Sequence, residues 1–546
     1  MQDFDAIVIG SGSGGLTAAL ALARAGRRVV VFEQHHLPGG YSQSFTIGGF
    51  SFSPGIHYIG QLGPGGGLRR IYEGLGVAGD LVFLELDPDG YDRVVVGDQR
   101  FDIPKGRDHF GERLKARFPA EAAGIDGYLD TVARMSDELV WAAKPDSVVD
   151  ALMLPLRMRT VLRHGLIPLT RFLDRFTRDP LLRAILSIQS GDHGMAPSRA
   201  SAVLHAGLQS YYFDGACYPR GGGHAIPDAL TRHIRAHRGE VVLGAAVERI
   251  LIEGGRAIGV RLADGAEVRA DIVVSNADPG VTWGRLVDEQ WVGRRLRRRI
   301  AHMRYSLSTL SLFLAVDMDL RAAGLDSGNI WYSRTPDIDA AYTLAASGDF
   351  ASVGQIPALF FNASTLKDPS LRSDGLHTVE AMALASPRSF ERWRNTRPGE
   401  RPDAYRQLKQ RLGDEILDAI EGFVPGFRER VVLRSLSTPL TNMHFVRASE
   451  GGIYGIEKTL GNLGPFSFPL RSHVRGLHQC GASTLAPGIN GVTKSGLAAA
   501  AAALGCRPDE LLSATGPSVQ ILPADDPSCW PESLRSTTMP RSPTAS

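Results

Sequence analysis

The chain is poor in cysteine, with only Cys217, Cys480, Cys506 and Cys529 in 546 residues. Their spacing fits neither a disulfide framework nor a metal-ligand pattern, and points to a reduced, cytoplasmic interior. Long apolar runs are also missing, since nothing approaches the ~18 residues that would span a bilayer. The first apolar run, Ala6 to Ile9, is short and has no charged segment before it, so no secretory signal is expected. A net charge of only +2 gives no global case for a nucleic-acid partner. No serine-histidine-aspartate, cysteine-histidine or metal constellation stands out. No second strand-plus-glycine fingerprint appears either, so no dedicated nicotinamide domain is expected.

What is present has the composition of a globular protein, 43% hydrophobic and 22% charged. Its most informative stretch is Phe4-Asp-Ala-Ile-Val-Ile-Gly10-Ser-Gly12-Ser-Gly-Gly15, followed by Gly26-Arg-Arg-Val29-Val-Val31-Phe-Glu33. It reads as strand, glycine turn, helix and second strand ending in an acid, a dinucleotide-binding unit. Gly10 lets the chain turn off the strand, Gly12 lets the backbone approach a pyrophosphate, and Gly15 with Ala19 allows close helix packing. The helix start, with Ser11, Ser13 and Gly14 around it, offers free N–H groups and a positive dipole end to phosphates. Glu33 is placed to accept hydrogen bonds from both ribose hydroxyls and disfavours a 2′-phosphate. At this point NAD and FAD are both open.

Downstream lie Gly39-Gly40-Tyr-Ser42 and Gly55-Ile-His57-Tyr58-Ile-Gly60. This passage resembles the second glycine pair of flavoproteins in the amine oxidase and phytoene desaturase superfamily, and its Gly-Ile-His-Tyr-Ile-Gly part is most similar to retinol saturases and carotenoid isomerases. The resemblance implies FAD as cofactor. Gly39 and Gly40 would lie along its diphosphate and ribityl chain, with Ser42 a further contact, and the Gly55 to Tyr58 turn would approach the isoalloxazine.

Two distant blocks carry the same resemblance. One runs from Tyr218-Pro-Arg-Gly221-Gly-Gly-His224 through Val247-Glu-Arg-Ile250 and an Asp264-Gly265 hairpin to Ser275-Asn276-Ala277-Asp278. By the resemblance, the Val247 strand lies against the adenosine half of FAD. The other is Gly476-Leu-His-Gln-Cys-Gly481-Ala482 through Gly491-Val492-Thr-Lys-Ser495-Gly496. It is similar to the closing FAD motif, with Gly481, Ala482, Gly491 and Val492 as cofactor contacts. Many relatives carry an acid where this chain has Ala482, which removes one ribityl contact.

The expected fold is α/β, a Rossmann-type FAD-binding domain interleaved with an α+β substrate domain. FAD-binding segments are expected at 1–74, 213–278 and 439–515, substrate-domain segments at 75–212, mostly helical, and 279–438, and a disordered tail at 516–546, which is rich in Pro, Ser and Thr. A hairpin is expected at Arg93-Val-Val-Val96-Gly97-Asp98. The strands holding Tyr305 to Asp317, Ala358 to Asn362 and Leu376 to Leu384 suit an antiparallel or mixed sheet flooring a cavity.

The resemblance implies an FAD-dependent oxidoreductase that desaturates, saturates or isomerises a lipophilic polyene or isoprenoid by hydride transfer with flavin N5. Oxygen, a quinone or a reductase would be the electron partner. His57 and Tyr58 are the candidates for direct action, as proton donors or flavin hydrogen-bond partners, against the plainer role of filling the interface. His224 reads as a helix-start residue, and His444 as a candidate for the pocket wall. From Ala151 to Phe176, apolar residues alternate with arginines almost without acids, which suits either an ordinary amphipathic helix or one lying peripherally on the inner face of a membrane. A flavin amine oxidase and a non-catalytic prenyl carrier of the same fold are the alternative classes.

Overall fold

A computed structural model describes residues 4–142, 148–348, 354–372 and 374–535. Five short strands form a parallel sheet in the spatial order Leu477–Gln479, Ile272–Ser275, Ala6–Ile9, Val29–Phe32 and Glu240–Val242. Val8 stands opposite Val31 on one side and Val274 on the other. Every residue of the two N-terminal strands is buried, as expected of parallel strands covered on both faces.

Strand alternation distributes those residues between two layers. Ala6, Val8, Val29 and Val31 pack against Leu16 and Leu20 of helix Ser13–Arg24, Ile226 and Leu230 of helix Ala225–Ala236, and Leu497 of helix Gly488–Leu504. Ile7, Ile9, Val30 and Phe32 face the opposite way, onto Ile250 and Val260 of an antiparallel sheet built from Val247–Glu253, Arg256–Leu262 and Glu267–Arg269. The Asp264-Gly265 hairpin falls at the expected place. A Cβ on Gly496 would stand 2.0 Å from the Gly14 carbonyl, so the first and last long helices touch backbone to backbone. That contact brings the two ends of the chain to one site.

The second large sheet has seven strands, in the order Val431–Ser437, Ser308–Val316, His377–Ala385, Ala358–Ala363, Asn329–Ser333, Asp92–Val96 and Gln99–Ile103. It is mixed, because Asn329–Ser333 pairs parallel with Asp92–Val96 while its other pairings are antiparallel. Both inserts therefore contribute to one sheet. One face, with Val94, Trp331 and Phe360, is covered by helices that include Ala122–Ala142 and Ala202–Tyr212. The other, with Leu310, Leu312 and Phe361, is covered by Leu412, Ile416 and Ile420 of helix Asp403–Glu421.

The segment from Gly516 departs from the expected disordered tail. Gln520–Pro523 adds a parallel strand to Val82–Glu85, and Trp530 is buried beside Leu84 and Ala524. The composition of this stretch is that of a tail, but a run of four residues that suits a strand and one aromatic anchor suffice to dock it. Residues 536–546, the rest of that expected tail, lie outside the described residues. Among the described residues no helix is long and apolar enough to cross a membrane.

Candidate active site

A cavity of about 830 Å³ opens at the C-terminal ends of the parallel strands and runs to the seven-stranded sheet. Ligands of open α/β sheets bind at this edge. At the first turn Gly10 takes φ +90°, and a Cβ on Gly15 would stand 2.2 Å from the Gly10 carbonyl oxygen. Helix Ser13–Arg24 begins with no side chain capping its N–H groups. Those uncapped donors and the glycine cradle fit the diphosphate of a dinucleotide.

Glu33 closes the second strand and lines the cavity. Its Oε2 accepts from Ser11 N and Ser11 Oγ, both at 2.8 Å, and its Oε1 accepts from His35 N at 2.8 Å. Three of the roughly four acceptor sites of a carboxylate are thus taken. One is left for a ribose hydroxyl, and a second hydroxyl requires the Ser11 side chain to turn away. Gly39, at φ +115°, donates its N–H to Ser11, and Ser42 Oγ lies 2.8 Å from Ser13 Oγ. The second glycine pair is thereby stitched to the first turn.

Gly10, Gly12, Ser13, Gly14, Glu33, Gly39, Gly40, Ser42, Val247, Gly481, Ala482, Val492, His57 and Tyr58 all border this cavity. Ser11, Gly15 and Gly491 do not. Ser11 is buried behind Glu33, Gly15 is packed under the turn, and a Cβ on Gly491 would lie 2.3 Å from the Ala486 carbonyl. All three pack against the residues that shape the cradle. His444 does not border the cavity, whereas its neighbours Met443 and Phe445 do. His224 sits at the start of helix Ala225–Ala236, away from the cavity.

Sequence reasoning passed over two polar residues that organise the centre. Asn276 leaves strand Ile272–Ser275 and packs into the first turn, where a Cβ on Gly12 would stand 2.7 Å from its Nδ2. Asp278 accepts from Gly280 N and Tyr305 Oη at 2.7 Å, Ser483 Oγ at 3.0 Å and Ser449 Oγ at 3.2 Å. It ties three distant segments together. Both residues are visible in the quoted Ser275 to Asp278 run, but nothing local distinguishes them from an ordinary helix start.

The far end of the cavity is aromatic. Tyr58 stacks on Tyr212 with ring centroids 4.6 Å apart, and Phe360 packs edge-on against Trp331 at 4.8 Å. The Tyr58 hydroxyl donates to Asp192 Oδ2 at 2.7 Å, and the Tyr454 hydroxyl to Asp192 Oδ1 at 3.3 Å. Burial drives both phenols well above their ordinary range and pushes the Asp192 carboxyl up to about 7. Asp192 and Tyr454 are site residues that the sequence did not single out for chemistry.

His57 stands between the two ends. Its Nδ1 lies 3.0 Å from the buried Glu380 Oε2, which orients the ring. Behind it, Lys367 donates to the His57 carbonyl at 2.7 Å and to Asn329 Oδ1 at 2.6 Å, and burial pushes its ammonium down to about 7. Asn329 Nδ2 in turn donates to Asp92 at 2.8 Å, whose carboxyl burial raises to about 6. This buried chain supports the His57 turn from beneath the cavity.

Fold and site together define a dinucleotide-binding protein with a Rossmann-type sheet. The sequence profile of the flavin-containing amine oxidoreductase family matches residues 13–504, and the chain belongs to that family. It is 32% identical over 477 residues to the all-trans-retinol 13,14-reductase of Danio rerio, covering 84% of this chain and 78% of that one. It is 26% identical to a chloroplastic prolycopene isomerase of Daucus carota, covering 83% and 72%. A solved putrescine oxidase shares the fold, with a TM-score of 0.61 at 16% identity, covering 92% of this chain and 99% of that one. The protein is an FAD-dependent oxidoreductase.

Proposed function

We propose that this enzyme saturates a carbon–carbon double bond in a lipophilic polyene of retinoid or carotenoid type. The observation that carries the reading is a cavity joining the glycine cradle to an aromatic chamber whose carboxyl, Asp192, has phenols rather than cations as partners. Apolar walls of this kind bury a hydrocarbon, at about 0.8 kcal/mol per CH₂. A partly neutral acid can supply the proton that saturation consumes. Similarity to a retinol reductase supports this direction, and similarity to a prolycopene isomerase supports the substrate class.

FAD supplies hydride exchange through its N5 position. The protein's own part is to bind, orient and exclude water. Gly10, Gly12, Ser13 and Gly14 hold the diphosphate, Glu33 a ribose hydroxyl, Gly39, Gly40 and Ser42 the chain toward the flavin, Val247 the adenosine half, and Gly481, Ala482 and Val492 the flavin side. Ser11, Gly15 and Gly491 keep that cradle in shape. His57 and Tyr58 border the reacting face. Residues 1–74, 213–278 and 439–515 form the cofactor unit, and 75–212 with 279–438 the substrate unit. The electron donor is a reductase or a reduced quinone, and the enzyme works in the cytoplasm, peripherally on a membrane.

Anaerobic mixing tests this. Photoreduced enzyme should be reoxidised by all-trans-retinol or a carotenoid in micelles, with a product two hydrogens heavier. Reduction of the oxidised enzyme by the same lipids would instead establish desaturation.

One observation favours a second reading. A carboxyl between two tyrosines can also hold an ammonium group. Peroxide release on an amine panel would support it. A carboxyl raised by burial toward neutrality suits an amine poorly, because the attraction needs the ionised form.

A further inference from the structure

Among the described residues, Glu33, Asp192, Asp278 and Glu450 are the carboxyls that border the cavity. Three have backbone or cationic partners. Glu33 takes two backbone N–H groups and a serine, Asp278 takes a backbone N–H and three hydroxyls, and Glu450 is paired with Arg394 at 2.6 Å. Asp192 is bonded by tyrosine hydroxyls alone, and it keeps accessible surface toward the cavity while lying deep in the protein.

Its two partners tie it to the cofactor side. Tyr58 follows the Gly55-Ile56-His57 turn. Tyr454 precedes Gly455, where a Cβ would stand 2.5 Å from Ser483 Oγ, next to Ala482 of the closing block. Both residues that hold Asp192 in the aromatic chamber are thus neighbours in sequence of residues that border the cradle side.

We propose that the carboxyl of Asp192, held between the Tyr58 and Tyr454 hydroxyls, is the acid that protonates the substrate double bond. The proposal rests on the saturation reading and deepens it. One alkene carbon gains hydride from reduced FAD, and the other gains the Asp192 proton. The π bond is replaced by two C–H bonds, FAD is left oxidised, and water reprotonates the carboxylate. A reductase or reduced quinone restores the flavin between turnovers. The hydrocarbon brings no acidic group, and the tyrosines around it are held too weakly acidic to serve. The titratable groups facing Asp192 are Tyr58, Tyr91, Tyr211, Tyr212, Tyr342, Tyr454 and the carboxyl of Asp92. Burial disfavours its ionised form, the Tyr58 and Tyr454 hydrogen bonds only partly offset this, and Asp92 repels the charge, so it stays partly protonated near neutral pH.

The test compares holoenzyme with Asp192→Asn and Asp192→Glu. Without turnover, the infrared spectrum of the wild type should show a buried carboxylic-acid band that titrates near neutrality and is missing from Asp192→Asn. Flavin absorbance and photoreduction should be unchanged in both variants. In single turnovers with all-trans-retinol, Asp192→Asn should reoxidise at least ~100-fold more slowly and lose the decline in rate with rising pH, while Asp192→Glu should keep that decline. A flat wild-type rate from about pH 5.5 to about pH 8.5, or an Asp192→Asn rate equal to wild type, overturns the acid role and leaves saturation standing. A wild type that no polyene reoxidises overturns both.

Discussion

Asp192 and Asp92 are carboxyls raised by burial to about 7 and about 6. Such groups bind more protons in the folded than in the unfolded chain, where aspartate titrates near ~3.9. Their contribution to stability is fully present below about pH 4 and is lost as the pH rises through about 6 and 7. Asp192→Asn should therefore show a shallower decline over that window and exceed the wild type in stability at about pH 8. Urea denaturation at fixed ionic strength would show it, and equal slopes would refute the burial account. Lys367, pushed down to about 7, acts in the opposite sense, adding stability as the pH rises from about 7 toward about 10.5. At the first turn, Gly15→Ala would drive a methyl to within 2.2 Å of the Gly10 carbonyl oxygen. Backbone cannot yield as a flexible side chain can, so a loss of ~1–3 kcal/mol and a colourless, FAD-free protein are expected. Thermal unfolding and the visible spectrum measure both.

Among the elements, those with their own local chemistry were the legible ones. The strand, turn and helix from Ala6 to Arg24 carry a continuous apolar run, glycines at the bend and small residues on the packed face, all within 19 residues of sequence. The hairpins at Gly97-Asp98 and Asp264-Gly265 were readable for the same reason. The Gln520–Pro523 strand was not, because its partner Val82–Glu85 lies in a distant part of the chain and its flanks have the composition of a linker. Trp530 anchors it, buried and donating its indole N–H to the Pro523 carbonyl at 2.7 Å, with Arg220 over the ring. Trp530→Ala should cost ~3–5 kcal/mol and lower the denaturation midpoint. A variant ending at residue 515 should lose at least as much stability.

On the scale of the whole molecule, one surface stands out. Leu156 and Leu162 are 61% and 51% exposed, Met153 and Leu166 are exposed beside them in sequence, and Arg157, Arg159 and Arg163 alternate with them. Glu138 holds this segment in place by accepting the N–H groups of Thr160 and Val161. Apolar residues among arginines suit an anionic lipid surface, from which a polyene would enter. Leu156→Ser combined with Leu162→Ser should weaken co-sedimentation with phosphatidylserine vesicles by about tenfold, the equivalent of ~1.4 kcal/mol. Raised salt should weaken the wild type. Unchanged binding would remove this face as the docking site.

The same scale separates what was readable in the chain from what was not. The diphosphate cradle was encoded in continuous sequence, because a diphosphate is held by consecutive backbone N–H groups and by glycines that must occur at fixed spacing. The substrate chamber was not. Asp192 meets Tyr58 across 134 residues of chain and Tyr454 across 262, and its proton affinity comes from the burial that those contacts create. The family resemblance could nominate Tyr58 but not the carboxyl it holds. Sequence alone determined the dinucleotide cradle, since its geometry is local. Only tertiary structure decided which acid faces the chamber, since burial and long-range hydrogen bonding exist once the chain has folded.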